Sequence, residues 1–267
     1  MTKESEIKET IYPRYILGLD IRTACLGVCV VKDDGENKPE ILYLGHKTPK
    51  VSNKIKGIES LFLKKQIFEE EFIKHIATSY TITDVVIEEP LLSSNNVNTV
   101  ATLLRFNGMI SEAIYRNIGI VPNFISSYDA RMYSFPELVS IRKYNKKGAE
   151  YNVKHIDKAM KDSSIVLFGS YPFDIDKKTV MMNMVNDMYN ENSIEWVYNK
   201  NGELKKENYD ACDALICTLA YININHYGLD KPIITKYSKN ETDKNIEYTY
   251  TTKVWDKEFN KILILKK

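Results

Sequence analysis

The run from Arg14 to Ile21, RYILGLDI, sets an aspartate inside an otherwise apolar stretch. A short, bounded apolar run of this kind predicts a buried β-strand. A carboxylate taken out of water is costly unless a cation or a dense set of hydrogen bonds compensates it. Asp20 therefore has either a capping role at the end of its strand or a cation to meet, and the choice depends on what else the fold brings to it.

The segments that follow limit that fold. GVCVVK continues as a second strand after a small-residue bend at Thr23 and Ala24, DDGENKP is a turn, and EILYLGHKT is a third strand. Three strands in series predict an antiparallel meander. From Ile55 to Tyr80 the residues Ile58, Leu61, Phe62, Phe68, Phe72 and Ile76 recur at helical spacing and predict one long amphipathic helix. TDVVIEEP is a β-branched strand stopped by Pro90, Asn95 to Asn117 is again helical, and GIVPNFIS is a further strand. YDARMYSFPEL predicts a short helix interrupted near Pro136. Helices are also expected from Asp174 to Tyr189 and from Asn208 to Asn225, with a hairpin around Asn201 and Gly202 between them. The order predicts an α/β fold, a mixed sheet made of an antiparallel three-strand meander plus parallel strands and flanked by helices. Residues 1–13 are expected to be a flexible tail, 14–230 one domain, and 231–267 a C-terminal extension with strand-like, lysine-rich segments.

Three further carboxylates join Asp20. Glu88 and Glu89 end the strand VVIEE, at the sheet edge where ligands commonly bind; strand alternation sends one to each face, and Glu88 is favoured as the residue facing the site. Asp210 and Asp213, in YDACDALICTLAYI, lie three apart at a helix start and so share one face. A favourable helix dipole explains one acid there more easily than a like-charged pair. Asp20, Glu88, Asp210 and Asp213 together form the oxygen-only shell that Mg2+ or Mn2+ prefers. Two such metals per site activate a water and stabilise the leaving oxygen in phosphodiester hydrolysis.

Charge is the first fact against a nucleic-acid enzyme, because the chain's formal net charge is only +1. It is unevenly spread. A basic insertion near residues 138–165 carries Arg142, Lys143, Lys146 and Lys147, which form either a solvated face or a contact to the DNA backbone. Cys25, Cys29, Cys212 and Cys217 lack zinc-site spacing and are expected to be buried thiols. No apolar run is long enough to span a bilayer, and the polar start MTKESEIKET lacks the apolar core of an export signal. No membrane is expected as a partner, and the cytoplasm is the expected location.

Taken in order from Tyr15 to Asn225, these segments resemble the RuvC branch of the RNase H-like superfamily. ILGLDIRTACLGVCVV resembles its first hairpin with the acidic residue, VVIEEP its central acidic strand, TLLRFNGMISEAI the following helix and YDACDALICTLAYI its closing helix. The resemblance implies a magnesium-dependent crossover-junction endonuclease, a homodimer, and branched DNA in the form of a four-way (Holliday) junction as substrate, with catalytic roles for Asp20, Glu88, Asp210 and Asp213. It also implies that Lys178, or its neighbour Lys177, in FGSYPFDIDKKTVMMNMV holds a phosphate, and that Leu91 or Leu92 wedges into the junction, although both leucines fit core packing equally well. The same carboxylates would serve a nuclease of RNA–DNA hybrids or of other branched DNA. A non-catalytic DNA-binding module of this fold would be expected to lack one of them. An actin-like kinase would need glycine-rich phosphate loops, and the eleven glycines of this chain are scattered.

Overall fold

The computed structural model describes residues 13–90, 96–135, 177–189, 194, 196–205 and 207–228, and the backbone alone of 251–256 and 261–266; of residue 177 only the backbone is described. Leu91, Leu92, Arg142, Lys143, Lys146 and Lys147, the basic insertion, nearly all of the N-terminal tail and the side chain of Lys177 lie outside the described residues.

A five-stranded sheet has the order β3-β2-β1-β4-β5. Strands β1 (Arg14–Ile21), β2 (Leu26–Asp33) and β3 (Glu40–Lys47) pair antiparallel, while β4 (Asp84–Glu88) and β5 (Asn123–Ile125) run parallel to β1. This is the expected arrangement, an antiparallel meander extended by parallel strands and flanked by helices. β1 is central and covered on both faces, which is why it reads as an almost unbroken apolar run.

Period-2 alternation divides its side chains between two cores. Leu17, Leu19, Val28, Val30, Val85 and Ile87 meet α1 (Gly57–Phe68), α2 (Lys74–Ser79) and α3 (Val97–Ile118) on one face. Ile16, Cys29, Val31 and Val86 meet α4 (Ser127–Ser134), α5 (Lys177–Met188) and α6 (Asn208–Asn225) on the other. Asp20, even-numbered like Ile16 and Gly18, falls on the α6 face.

α6 presses directly on that face. A Cβ added at Gly18 would lie 1.9 Å from Thr218 Oγ1, and one at Gly27 would lie 1.7 Å from the Asp210 carbonyl oxygen. Only glycine lets backbone and helix come this close. Nearly every residue from Asn208 to Asn223 is buried, so α6 is a core helix on all sides rather than an amphipathic one. At the far end of the sheet, Asp84 accepts hydrogen bonds from the Arg14 guanidinium at 2.7 and 2.9 Å and from Tyr221 Oη at 2.8 Å. Asp33 similarly ties β2 to the end of α6 through His226 at 2.6 Å and Tyr227 at 2.8 Å.

Several expected elements are corrected in detail. The long first helix is interrupted by a π-helical turn at Glu69–Ile73; Leu61, Phe68, Phe72, Ile73 and Ile76 are buried, while Ile58 and Phe62 stay exposed. The turn brings Glu69 into contact with Lys65, Arg116 and Asn117. Among the described residues the hairpin around Asn201 and Gly202 is held by one bridge, Tyr198 with Leu204, and the fifth strand is only three residues long. The C-terminal segments form a separate antiparallel pair, β6 (Thr251–Asp256) and β7 (Lys261–Lys266). Among the described residues no helix is long and apolar enough to cross a membrane.

Candidate metal centre

Asp20 and Glu88 sit at the carboxyl ends of the neighbouring parallel strands β1 and β4, whose register runs Leu19 opposite Ile87. Both are even-numbered and so share the α6 face. Because Gly27 admits the α6 backbone against β2, the first turn of α6 is delivered to the same place, with Asp210 and Asp213 turned toward the sheet. Oxygen atoms of Asp20, Asp210 and Asp213 all lie within 4.8 Å of one another, and all three residues are buried. Glu88 stands outside that tight group, half-buried at its edge, whereas Glu89 is exposed and spends its backbone N–H on the Ile125 carbonyl. The structure thus places Glu88, and not Glu89, beside the other acids.

Like charges in a buried pocket hold protons tightly. Burial first, then Glu88 and Asp213, push the Asp20 carboxyl well above its ordinary range, with Arg22 opposing them. Glu88 is pushed up to about 7 by burial and then by Asp213, while Arg131, Lys178 and Arg22 pull the other way. Among the described residues Asp20 Oδ2 is buried with no hydrogen-bond partner, its nearest cation being Arg22 Nε in a 3.5 Å ion pair of poor hydrogen-bond geometry. Cys25, beside Asp210, does not compete as a soft ligand, because burial and Asp210 push its thiol up to about 12. An orphaned carboxylate oxygen within an all-oxygen donor set fits a hard divalent cation such as magnesium or manganese.

Three cations border the acids. Lys178 Nζ, at the start of α5, donates to Asp213 Oδ2 at 2.6 Å and is one-third exposed. Lys178 thus meets the site, while the side chain of Lys177, the other lysine singled out from the sequence, lies outside the described residues. Arg22 Nη1 lies 3.0 Å from Asp210 Oδ1, so its guanidinium spans Asp20 and Asp210 from the open side. Arg131, on α4, brings Nη2 to 3.8 Å from Asp213 Oδ1, and its buried Nε has no partner among the described residues. Neither arginine was expected from the sequence. Arg22 left a signal, since a residue two beyond Asp20 shares its face, but Arg131 reaches the site only because α4 packs on α6. The hydroxyls of Thr179 and Tyr209 are in contact and join α5 to α6 beside Lys178. A groove of about 970 Å³ opens from the acids, lined by Arg22, Asp210, Thr179, Asn183, Lys205 and Tyr209. All four cysteines are free thiols, three of them buried.

No protein-family model matches the chain, and no curated protein matches it. Among solved structures it is similar to Thermus thermophilus RuvC, at 13% identity over 82% of this chain and 99% of that one, with a TM-score of 0.46. Thermus thermophilus RuvC in complex with a Holliday junction substrate matches at 12% identity over the same shares, with a TM-score of 0.49. The yeast mitochondrial Holliday junction resolvase matches at 12% identity over 80% of each chain, with a TM-score of 0.43.

Proposed function

We propose that this chain is a divalent-metal-dependent endonuclease that hydrolyses phosphodiester bonds in branched DNA, with the four-way junction as its substrate. The observation that carries the metal-dependent chemistry is the gathering of buried Asp20, Asp210 and Asp213 oxygens within 4.8 Å, with Glu88 at their edge. The choice of a junction rests on the ordered resemblance of the first hairpin, central strand, following helix and closing helix to the RuvC branch.

Asp20, Asp210, Asp213 and Glu88 would hold two magnesium or manganese ions. Such ions supply Lewis acidity to the scissile phosphate and ease deprotonation of an attacking water. Lys178, already charge-paired with Asp213, is placed to offset charge on the phosphate. Arg131, behind Asp213, orients that carboxylate from the buried side. Arg22, on the open rim, is the cation nearest an incoming backbone, and Lys205 lies farther along the same groove, which Glu203 and Glu207 also line. Two such sites in a homodimer would cut a junction at paired positions.

Cleavage of a mobile four-way junction, a flap, an RNA–DNA hybrid and a linear duplex, each with magnesium, manganese or chelator, tests the reading. Metal-dependent, paired nicks with preference for the junction are expected. Preference for the hybrid would replace the substrate assignment, and no cleavage of any substrate with either metal would refute the function. Asp20→Asn and Asp213→Asn should each abolish cutting while leaving junction binding largely intact.

A further inference from the structure

The segment Lys47 to Lys64 carries Lys47, Lys50, Lys54, Lys56 and Lys64 against Glu59 alone, in a chain whose net charge is +1. It folds into one wall of a groove of about 640 Å³ between the 51–56 loop, the start of α1 and the second and third turns of α3. Lys56, Lys64 and Arg105 line this groove with the polar side chains of Asn53, Ser60 and Thr102, and no acid is among its lining residues. Among the described residues, Lys56, Lys64 and Arg105 make no ion pair with a carboxylate. Lys65 on α1, Lys74 on α2 and Arg116 on α3 are paired with Glu69, Glu70 and Glu112. Three cations without a carboxylate partner among the described residues thus meet in one groove that no acid lines. The start of α1 adds to them, since no side chain caps it and its dipole directs positive potential outward.

The groove also adjoins the carboxylates. Thr23 forms part of its lining, and Lys64 Nζ donates to the Thr23 carbonyl at 2.5 Å. Thr23 follows Arg22, whose guanidinium touches Asp20 and Asp210. The bend after β1 thus has the acids on one side and a cationic channel on the other.

We infer that this groove is a second DNA contact, a track for the phosphate backbone of a strand passing the metal centre, with Lys56 and Arg105 as its principal phosphate ligands. It rests on the nuclease reading and adds to it where the strand lies. Cations gathered in one acid-free groove beside a helix start suit backbone phosphates, which position a duplex without reading its sequence.

The test is binding of a four-way junction by the full chain, with calcium in place of magnesium to hold off cleavage, followed by fluorescence anisotropy across a salt series. The double variant Lys56→Ala/Arg105→Ala is compared with wild type and with Lys74→Ala, whose lysine, at the start of α2, is paired with Glu70. Both groove side chains are exposed, so thermal unfolding should match wild type. The double variant should bind about tenfold more weakly, with a slope of log affinity against log salt shallower by about 1 to 2, while Lys74→Ala changes neither. Wild-type binding with unchanged affinity and slope in the double variant overturns the groove and leaves the nuclease reading standing. Absence of any DNA binding by wild type overturns both.

Discussion

Two glycines set the distance on which the candidate centre depends. At Gly27 an added methyl would collide with the backbone of α6 rather than with a flexible side chain, so α6 would have to lift and carry Asp210 and Asp213 away from Asp20. Gly27→Ala should cost about 1 to 3 kcal/mol in urea unfolding and weaken magnesium binding measured by calorimetry. Glu88 offers a prediction in pH. The native site holds its proton up to about 7, whereas its ordinary value is 4.5. Across that window the unfolded state binds fewer protons than the native one, so Glu88 lowers the stability of metal-free protein as pH rises through it. Glu88→Gln in chelator should therefore melt above wild type at pH 8 and level with it at pH 4. A lower melting point at pH 8 would show that Arg131, Lys178 and Arg22 outweigh the burial of the charge.

At the scale of elements, α3 and the first long helix show two ways of placing polar groups. Asn96 caps α3 by accepting from the backbone N–H groups of Asn98 and Thr99, and Asn96→Ala should cost about 1 kcal/mol in chemical unfolding. In the first helix, the π-helical turn admits Glu69 to the interior edge, where Lys65, Asn117 and Arg116 hold its carboxyl down to about 2 despite burial. Uniform 3.6-residue spacing over Ile55 to Tyr80 does not contain that turn, because a π insertion is favoured by contacts from α3, distant in sequence. The same holds for α6: its boundaries follow from its own residues, but its burial on every side depends on β1, β2, α4 and α5 closing around it.

For the whole molecule, metal binding should couple to folding. The buried acids repel one another in the native state and separate in the unfolded chain, so an ion that binds only the native site raises the melting temperature by mass action. A hundredfold excess of magnesium over its dissociation constant should add about 2.7 kcal/mol, and Asp213→Asn should remove most of that gain. No shift on adding magnesium or manganese would argue against a native-state ion site.

The mixed sheet, the identity of its strands and the acids Asp20, Asp210 and Asp213 were legible in the residues themselves. Alternation, helical periodicity and the cost of burying charge are local rules, and a carboxylate in an apolar strand breaks them visibly. Alternation sent Glu88 and Glu89 to opposite faces, and the register of β1 on β4 put Glu88 on the face of Asp20. The tertiary structure decided what local rules do not reach: that Lys178 meets Asp213, that Arg22 and Arg131 border the acids, that Ile58 and Phe62 remain outside the core, and that lysines of one loop join Arg105 of α3 in a groove. Each of those joins side chains whose distance apart is set by helix packing on a sheet, and packing depends on contacts between residues far apart in the chain rather than on the periodicity within any one of them.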